Sequence, residues 1–223
     1  MKKIFLSVLA IAAMAATANA QLWFGGSVGF SHSGGEQKTA DNKRQSPKSN
    51  SFSFAPMVGF DLNEQLSVGG MLNLRTQSNK SYAYYGSDTK EIEDVSKNTS
   101  NIIGVTPFAR YKFAEFNKFG LVAEAGLPIS YTSAKTDITN TTSIETSQTS
   151  LGLYVEPILT YSLNDHFQLE CGLNFLSLNA NHSVTKDRDN SKNKNTSNSF
   201  RFGANTHNVV NVGDITIGFI YKL

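Results

Sequence analysis

The feature that most constrains this chain is a segment that recurs around three prolines. Pro56-Met57-Val58-Gly59-Phe60-Asp61-Leu62, Pro107-Phe108-Ala109-Arg110-Tyr111-Lys112-Phe113 and Pro157-Ile158-Leu159-Thr160-Tyr161-Ser162-Leu163 follow one another at spacings of 51 and 50 residues. Each alternates apolar with other residues, runs into a very short polar turn and is followed by a second alternating segment. A period of two marks a strand whose two faces meet different surroundings. Strand, tight turn and strand make a β-hairpin, and hairpins at a fixed period predict a closed antiparallel barrel.

The alternation extends beyond the three repeats. It predicts strands over residues 22–32, 52–62, 66–76, 101–113, 119–131, 151–163 and 167–181, with a last strand ending at Leu223. Short turns fall at 63–65, 114–118 and 164–166, and long polar connections at 33–50, 77–98, 132–148 and 183–199. Eight strands with short and long connections in alternation form an up-and-down barrel with both termini on the side of the short turns. The last strand can begin anywhere from 200 to 210, and a turn near 205–208 would make ten strands. Apolar parity slips after Phe175 and again between Val212 and Ile215, which predicts bulges. The mid-strand prolines predict local breaks in pairing, because proline donates nothing to the ladder.

The two faces say what surrounds the barrel. Ile103, Val105, Pro107, Ala109, Tyr111 and Phe113 share one face of the fourth strand, and Leu151, Leu153, Val155, Pro157, Leu159, Tyr161 and Leu163 one face of the sixth. Their opposite faces carry Gly, Ser, Thr and isolated charges. A soluble barrel would turn the second face to water and carry many more Lys and Glu there. A transmembrane barrel turns the first face to lipid and packs the second into its lumen. Aromatics at strand ends (Phe60, Tyr111, Phe113, Tyr131, Tyr161, Phe167 and Tyr221) suit the interfacial girdles of such a barrel.

The N-terminus agrees with export. Lys2 and Lys3 precede an apolar run over residues 4–16, and Ala18-Asn19-Ala20 is a small-x-small cleavage site. Residues 1–20 are expected to be a signal peptide and 21–223 a single barrel domain. The chain has 20 Lys and Arg against 18 Asp and Glu, and without Lys2 and Lys3 the signs balance. No concentrated basic face marks a nucleic-acid partner. Cys171 is the only cysteine, so no internal disulfide or cysteine-rich metal site is expected. No later run of 18 apolar residues provides a helical span.

With the signal segment, the alternation of four loops and three turns, and the closing strand Ile215-Thr216-Ile217-Gly218-Phe219-Ile220-Tyr221-Lys222-Leu223 in view, the chain resembles the small eight-stranded outer-membrane β-barrel proteins of the OmpX/OmpA membrane-domain type. The resemblance covers the whole chain after residue 20. It implies a bacterial outer-membrane location, surrounding membrane lipid, and the barrel-assembly machinery as a partner that reads the terminal strand. Members usually close on an aromatic residue, whereas this chain closes on Leu223 with Tyr221 two before it. Small barrels host several activities, so function must be argued from sites.

The candidate site is the set of charges on the lumen-facing parity: Arg75, Arg110, Lys112, Glu124, Glu156 and Glu170. Counting from the tight turns places Arg110 near Glu124, with Glu156 and Glu170 at similar depth. A narrow lumen favours a salt-bridged plug over an ion path, because buried charges persist when paired. His182-Ser183 is the only pair reminiscent of outer-membrane lipid-modifying enzymes, with His207 beyond. Neighbours on a strand point to opposite faces, so His182 is not expected to activate Ser183. His32 and His166 sit at strand and turn ends without a pattern. No metal-ligand spacing, cofactor loop or nucleophile elbow is present, so no cofactor is expected. The resulting expectation is a monomeric, non-enzymatic outer-membrane barrel with a structural or surface-interaction role, whose long loops could meet lipopolysaccharide or an extracellular ligand. A small-solute channel and a lipid-modifying enzyme are the alternatives.

Overall fold

The computed structural model describes residues 21–38, 43–83, 94–139, 143–173, 176–188, 193–204 and 217–223. The signal segment, His207 and the parity change between Val212 and Ile215 lie outside the described residues, as does the turn near 205–208. The described elements are all strands: β1 Gln21–Ser33, β2 Glu36–Lys38, β3 Lys43–Gln45, β4 Lys48–Asp61, β5 Leu66–Ala83, β6 Asp94–Phe116, β7 Phe119–Gly126, β8 Ile129–Ile138, β9 Ile144–Ser162, β10 Phe167–Gly172, β11 Leu176–Asp187, β12 Lys194–Ala204 and β13 Ile217–Lys222. β2 and β3 form a small separate hairpin.

The pairings close a ring at the turn end. β1 pairs β4, β4 pairs β5, β5 pairs β6, β6 pairs β7, β7 pairs β9, β9 pairs β10, β10 pairs β13 and β13 returns to β1, all antiparallel. Eight staves therefore enclose the lumen there, as the alternation predicted, and closure leaves no free sheet edge at this end. Farther from the turns, β8 takes the place of β7 between β6 and β9, and β11 takes that of β10 beside β9, with β12 outside it.

At Pro56 and Pro107 the ladder to one neighbour breaks without a change of register, whereas the break at Pro157 coincides with a register shift on the β10–β11 side. β7 and β8 keep one register against β9 across Leu127 and Pro128, with Gly126 opposite Tyr154 and Ile129 opposite Leu151. Around this break the Leu127 amide still donates to Pro107 and the Gly152 amide to Pro128. The parity slip near Phe175 is a true insertion. From the Gly172–Ile158 pair to the Leu178–Val155 pair one side advances six residues and β9 only three. Three extra residues are an odd number, so every later side chain changes face. A second bulge falls between Lys112 and Ala114.

Strand length departs from the expectation. β6 and β9 have 23 and 19 residues, and β5 has 18. Much of what polarity marked as loop in 77–98, 132–148 and 183–199 is paired strand, and so is 48–50. The pairing is made by backbone groups, which Ser, Thr and Asn carry as well as Val does. The turn of 114–118 is likewise shorter than expected. β6 runs through the bulge to Phe116 and meets Phe119 across two residues, with Asn117 at φ 56°.

The two faces behave as read. Phe24, Val28, Ile103, Val105, Tyr111, Phe113, Leu151, Leu153, Val155 and Phe167 are exposed on the outer wall. Trp23, Phe108 and Ile220 are buried within, with Met57 and Met71 against them. Aromatics gather at the turn end of the outer wall, where Phe119 packs on Tyr161 at 4.8 Å and Phe167 on Tyr221 at 5.0 Å between centroids.

Candidate functional site in the barrel lumen

The lumen is filled by a charged cluster set between aromatic rings. Arg110 and Glu124 are cross-strand partners on β6 and β7, and Glu124 and Glu156 are partners on β7 and β9. Arg110 Nε donates to Glu124 at 2.6 Å. The same guanidinium reaches across the lumen to β10, where Nη1 donates to Glu170 at 2.9 Å and Nη2 at 3.2 Å. One Arg thus satisfies carboxylates from two sides with the fork geometry that suits it to this task. Its Cζ lies 5.0 Å from the centre of the Trp23 ring and 4.9 Å from that of Phe108, within cation–π range of both. Tyr154 Oη donates to the free oxygen of Glu124 at 2.5 Å.

Small residues make room for this arrangement. A Cβ on Gly59 would strike the Trp23 indole, and one on Gly69 the Phe108 ring. Nearer the turns a second polar group closes the lumen floor. Trp23 Nε1 donates to Asp61 at 2.9 Å, Ser67 donates to the same carboxylate at 2.7 Å, and Lys222 pairs with it at 3.1 Å. A cavity of about 130 Å³ lies on the turn side of Arg110 and Glu170, and one of about 550 Å³ on the loop side.

Of the six charges expected together, the structure gathers Arg110, Glu124 and Glu170 into one buried network, with Glu156 half-buried beside Glu124. Lys112 does not join. It pairs with Glu115 at 2.5 Å beside the turn, because the bulge after it brings that carboxylate within reach. Arg75 has the lumen-facing parity, opposite Ser53, yet stands exposed at the wall of the larger cavity, eight register steps along β6 from Arg110. Tyr154, Asp61, Trp23 and Lys222 were not singled out from sequence. Their parity was legible, but their convergence depends on barrel closure.

The described histidines, His32, His166 and His182, have structural partners. His182 Nδ1 lies 2.6 Å from Asn198 and His32 Nδ1 lies 2.6 Å from Asn50, each across a strand pair. His182 is exposed while Ser183 is buried on the other face, so the two do not form a base–nucleophile pair. His166 Nδ1 lies 2.9 Å from the Lys222 carbonyl.

The model of the outer membrane protein beta-barrel domain matches residues 4–221. The chain belongs to that family. No curated protein matches it. Among solved structures, this outer-membrane β-barrel is similar to a major outer membrane protein from Thermus thermophilus, with 13% identity over 92% of this chain and 100% of that one and a TM-score of 0.46. It is also similar to Ail, the attachment invasion locus protein of Yersinia pestis, with 13% identity over 92% of this chain and 99% of that one and a TM-score of 0.40. For an outer-membrane barrel, the exposed apolar wall is the lipid-facing surface, and the lumen cluster sits at membrane depth.

Proposed function

We propose that this barrel is a non-enzymatic protein of the bacterial outer membrane whose role is structural or interactive, exerted through the parts that project beyond the membrane on the loop side. The observation that supports this reading most is the Arg110–Glu124–Glu170 network between Trp23 and Phe108, which occupies the lumen with bonded side chains. A solute path would have to break charge-assisted bonds in a low-dielectric interior, a large cost for passive flow. His182 is exposed and Ser183 is buried on the opposite face, so this pair does not supply a base beside a nucleophile. In this reading the chain is a monomer exported by its N-terminal signal, with outer-membrane lipid around it and an extracellular ligand at its loops. The test is liposome swelling with small sugars. Vesicles holding the folded barrel should swell no faster than empty ones, and swelling that rises with protein content would establish the channel instead.

A further inference from the structure

Three lysines stand abreast on the outer wall at the loop side. Lys48 of β4 is paired with Lys80 of β5, and Lys80 is paired with Lys97 of β6. They share the outward parity of Phe52 and Phe54, of Leu74, and of Ile103 and Val105 on the same strands. Lys48 Nζ lies 6.0 Å from the centre of the outward Tyr82 ring. On the next strand Asp137 is opposite Lys97, and it is already engaged by Lys135 at 3.3 Å and by the Ser143 hydroxyl at 2.5 Å. Among the described residues of β4, β5, β6 and β8, Asp137 is the one carboxylate opposite this row, and it is shared with Lys135, which also has Glu145 opposite it on β9.

Like charges directly opposite on paired strands repel. The strands cannot slide to relieve this, because their inner faces are pinned. Ser49 donates to Asn79 at 2.6 Å and Asn98 to Thr136 at 2.8 Å. The wall thus holds a preformed row of cations, about 10 Å long at the usual spacing of strands.

Its height narrows what could neutralise it. Lys48 is four residues beyond Phe52, Lys80 six beyond Leu74 and Lys97 six beyond Ile103. At about 3.3 Å per residue and a strand tilt of about 40°, the row sits roughly 10–15 Å above the apolar band. That is just beyond the roughly 5–8 Å headgroup layer of a phospholipid leaflet and level with the sugars of a glycolipid one. Lysines are compact point charges on flexible stems, suited to phosphates spread over a surface rather than to one forked contact.

We propose that the Lys48–Lys80–Lys97 row binds the phosphorylated sugar headgroup of glycolipids in the outer leaflet around the barrel. This rests on the reading of the chain as an outer-membrane protein with its long connections outside.

The test uses the full exported chain folded into phosphatidylcholine vesicles, with its unfolding temperature read as a gel shift on heating. The probes are purified lipopolysaccharide in the vesicles, phosphatidylglycerol at matched charge, and soluble inorganic phosphate or heparin outside. Lipopolysaccharide should raise the unfolding temperature of the wild type more than any other probe. The K48Q/K80Q/K97Q variant, which loses a repulsion and should fold, should need about 100-fold more of it, taking about 1 kcal/mol per lysine near an anionic surface. K80Q alone should need about fivefold more, and K118Q at the turn end should match the wild type. An unchanged triple variant, or an equal response to phosphatidylglycerol, phosphate or heparin, would overturn the proposal. Release of the wild type from vesicles by alkaline carbonate would remove the membrane reading and this proposal together, whereas retention with an unchanged triple variant removes the proposal alone.

Discussion

Arg110 holds two buried carboxylates that come from different staves of the barrel, Glu124 on β7 and Glu170 on β10. Its removal leaves both without their counter-charge in a closed lumen. Arg110→Met should therefore cost about 3–5 kcal/mol, read as a lower urea midpoint in lipid vesicles. Adding Glu124→Gln and Glu170→Gln to the same chain should recover much of the loss, since no uncompensated charge remains. A single variant as stable as the wild type would show that the cluster contributes nothing. The turns offer a second test. Asn63 accepts from the amides of Gln65 and Leu66 at 2.9 and 2.8 Å, and Asn164 accepts from those of His166 and Phe167 at the same distances. Each side chain replaces backbone bonds that the turn cannot supply. Asn164→Ala should cost about 1 kcal/mol of stability, and Asn164→Asp, which keeps the acceptor, much less.

A stave of this barrel has two chemical lengths. On β9 the outward face is apolar from Leu151 to Leu163 and polar beyond, yet pairing continues to Ile144. Only the apolar part needs lipid. Val155 lies near the middle of that part on the exposed wall, and Thr149 lies on the same face one step beyond its edge. Val155→Arg should cost roughly 2–4 kcal/mol and Thr149→Arg at most about 1, by the same urea titration. Equal costs would mean that the wall does not face a bilayer. The polar extension keeps its register through bonds such as Asn98 to Thr136 and Thr76 to Asn101, 2.7 Å for the latter. The lysine row can therefore stand above the apolar band on a wall that is still sheet.

Closure joins the first and last described strands. β13 lies between β1 and β10, the Leu223 amide donates to Leu22, Gln21 donates to the Leu223 carbonyl, and Lys222 crosses to Asp61. A sheet closed this way exposes no backbone donors at its turn end, so detergent has little purchase on it. The folded protein should fractionate with the outer membrane and migrate differently before and after boiling. A single boiling-independent band from a protein recovered in the soluble fraction would contradict the membrane-barrel architecture.

Strand order, face assignment and the tight turns were readable along the chain, because each depends on residues close in sequence. The period of two in Pro107–Phe113 and Pro157–Leu163 assigned inside and outside, and the Arg110–Glu124 pair followed from counting outward from one turn. The limits of the strands were not readable from hydrophobicity, since backbone groups pair without regard to side chain and Ser, Thr and Asn bond across strands. Lys112 had the right parity and lines the turn-side cavity, but a bulge one residue later gives it Glu115 as its partner instead of the buried network. Arg75 had the right parity but stands too far along the stave. Glu170 meeting Arg110, and Trp23, Asp61 and Lys222 meeting at the lumen floor, arise from staves far apart in sequence. Such contacts exist only once the sheet has closed, because the curvature and stagger of the ring set which inward side chains share a level.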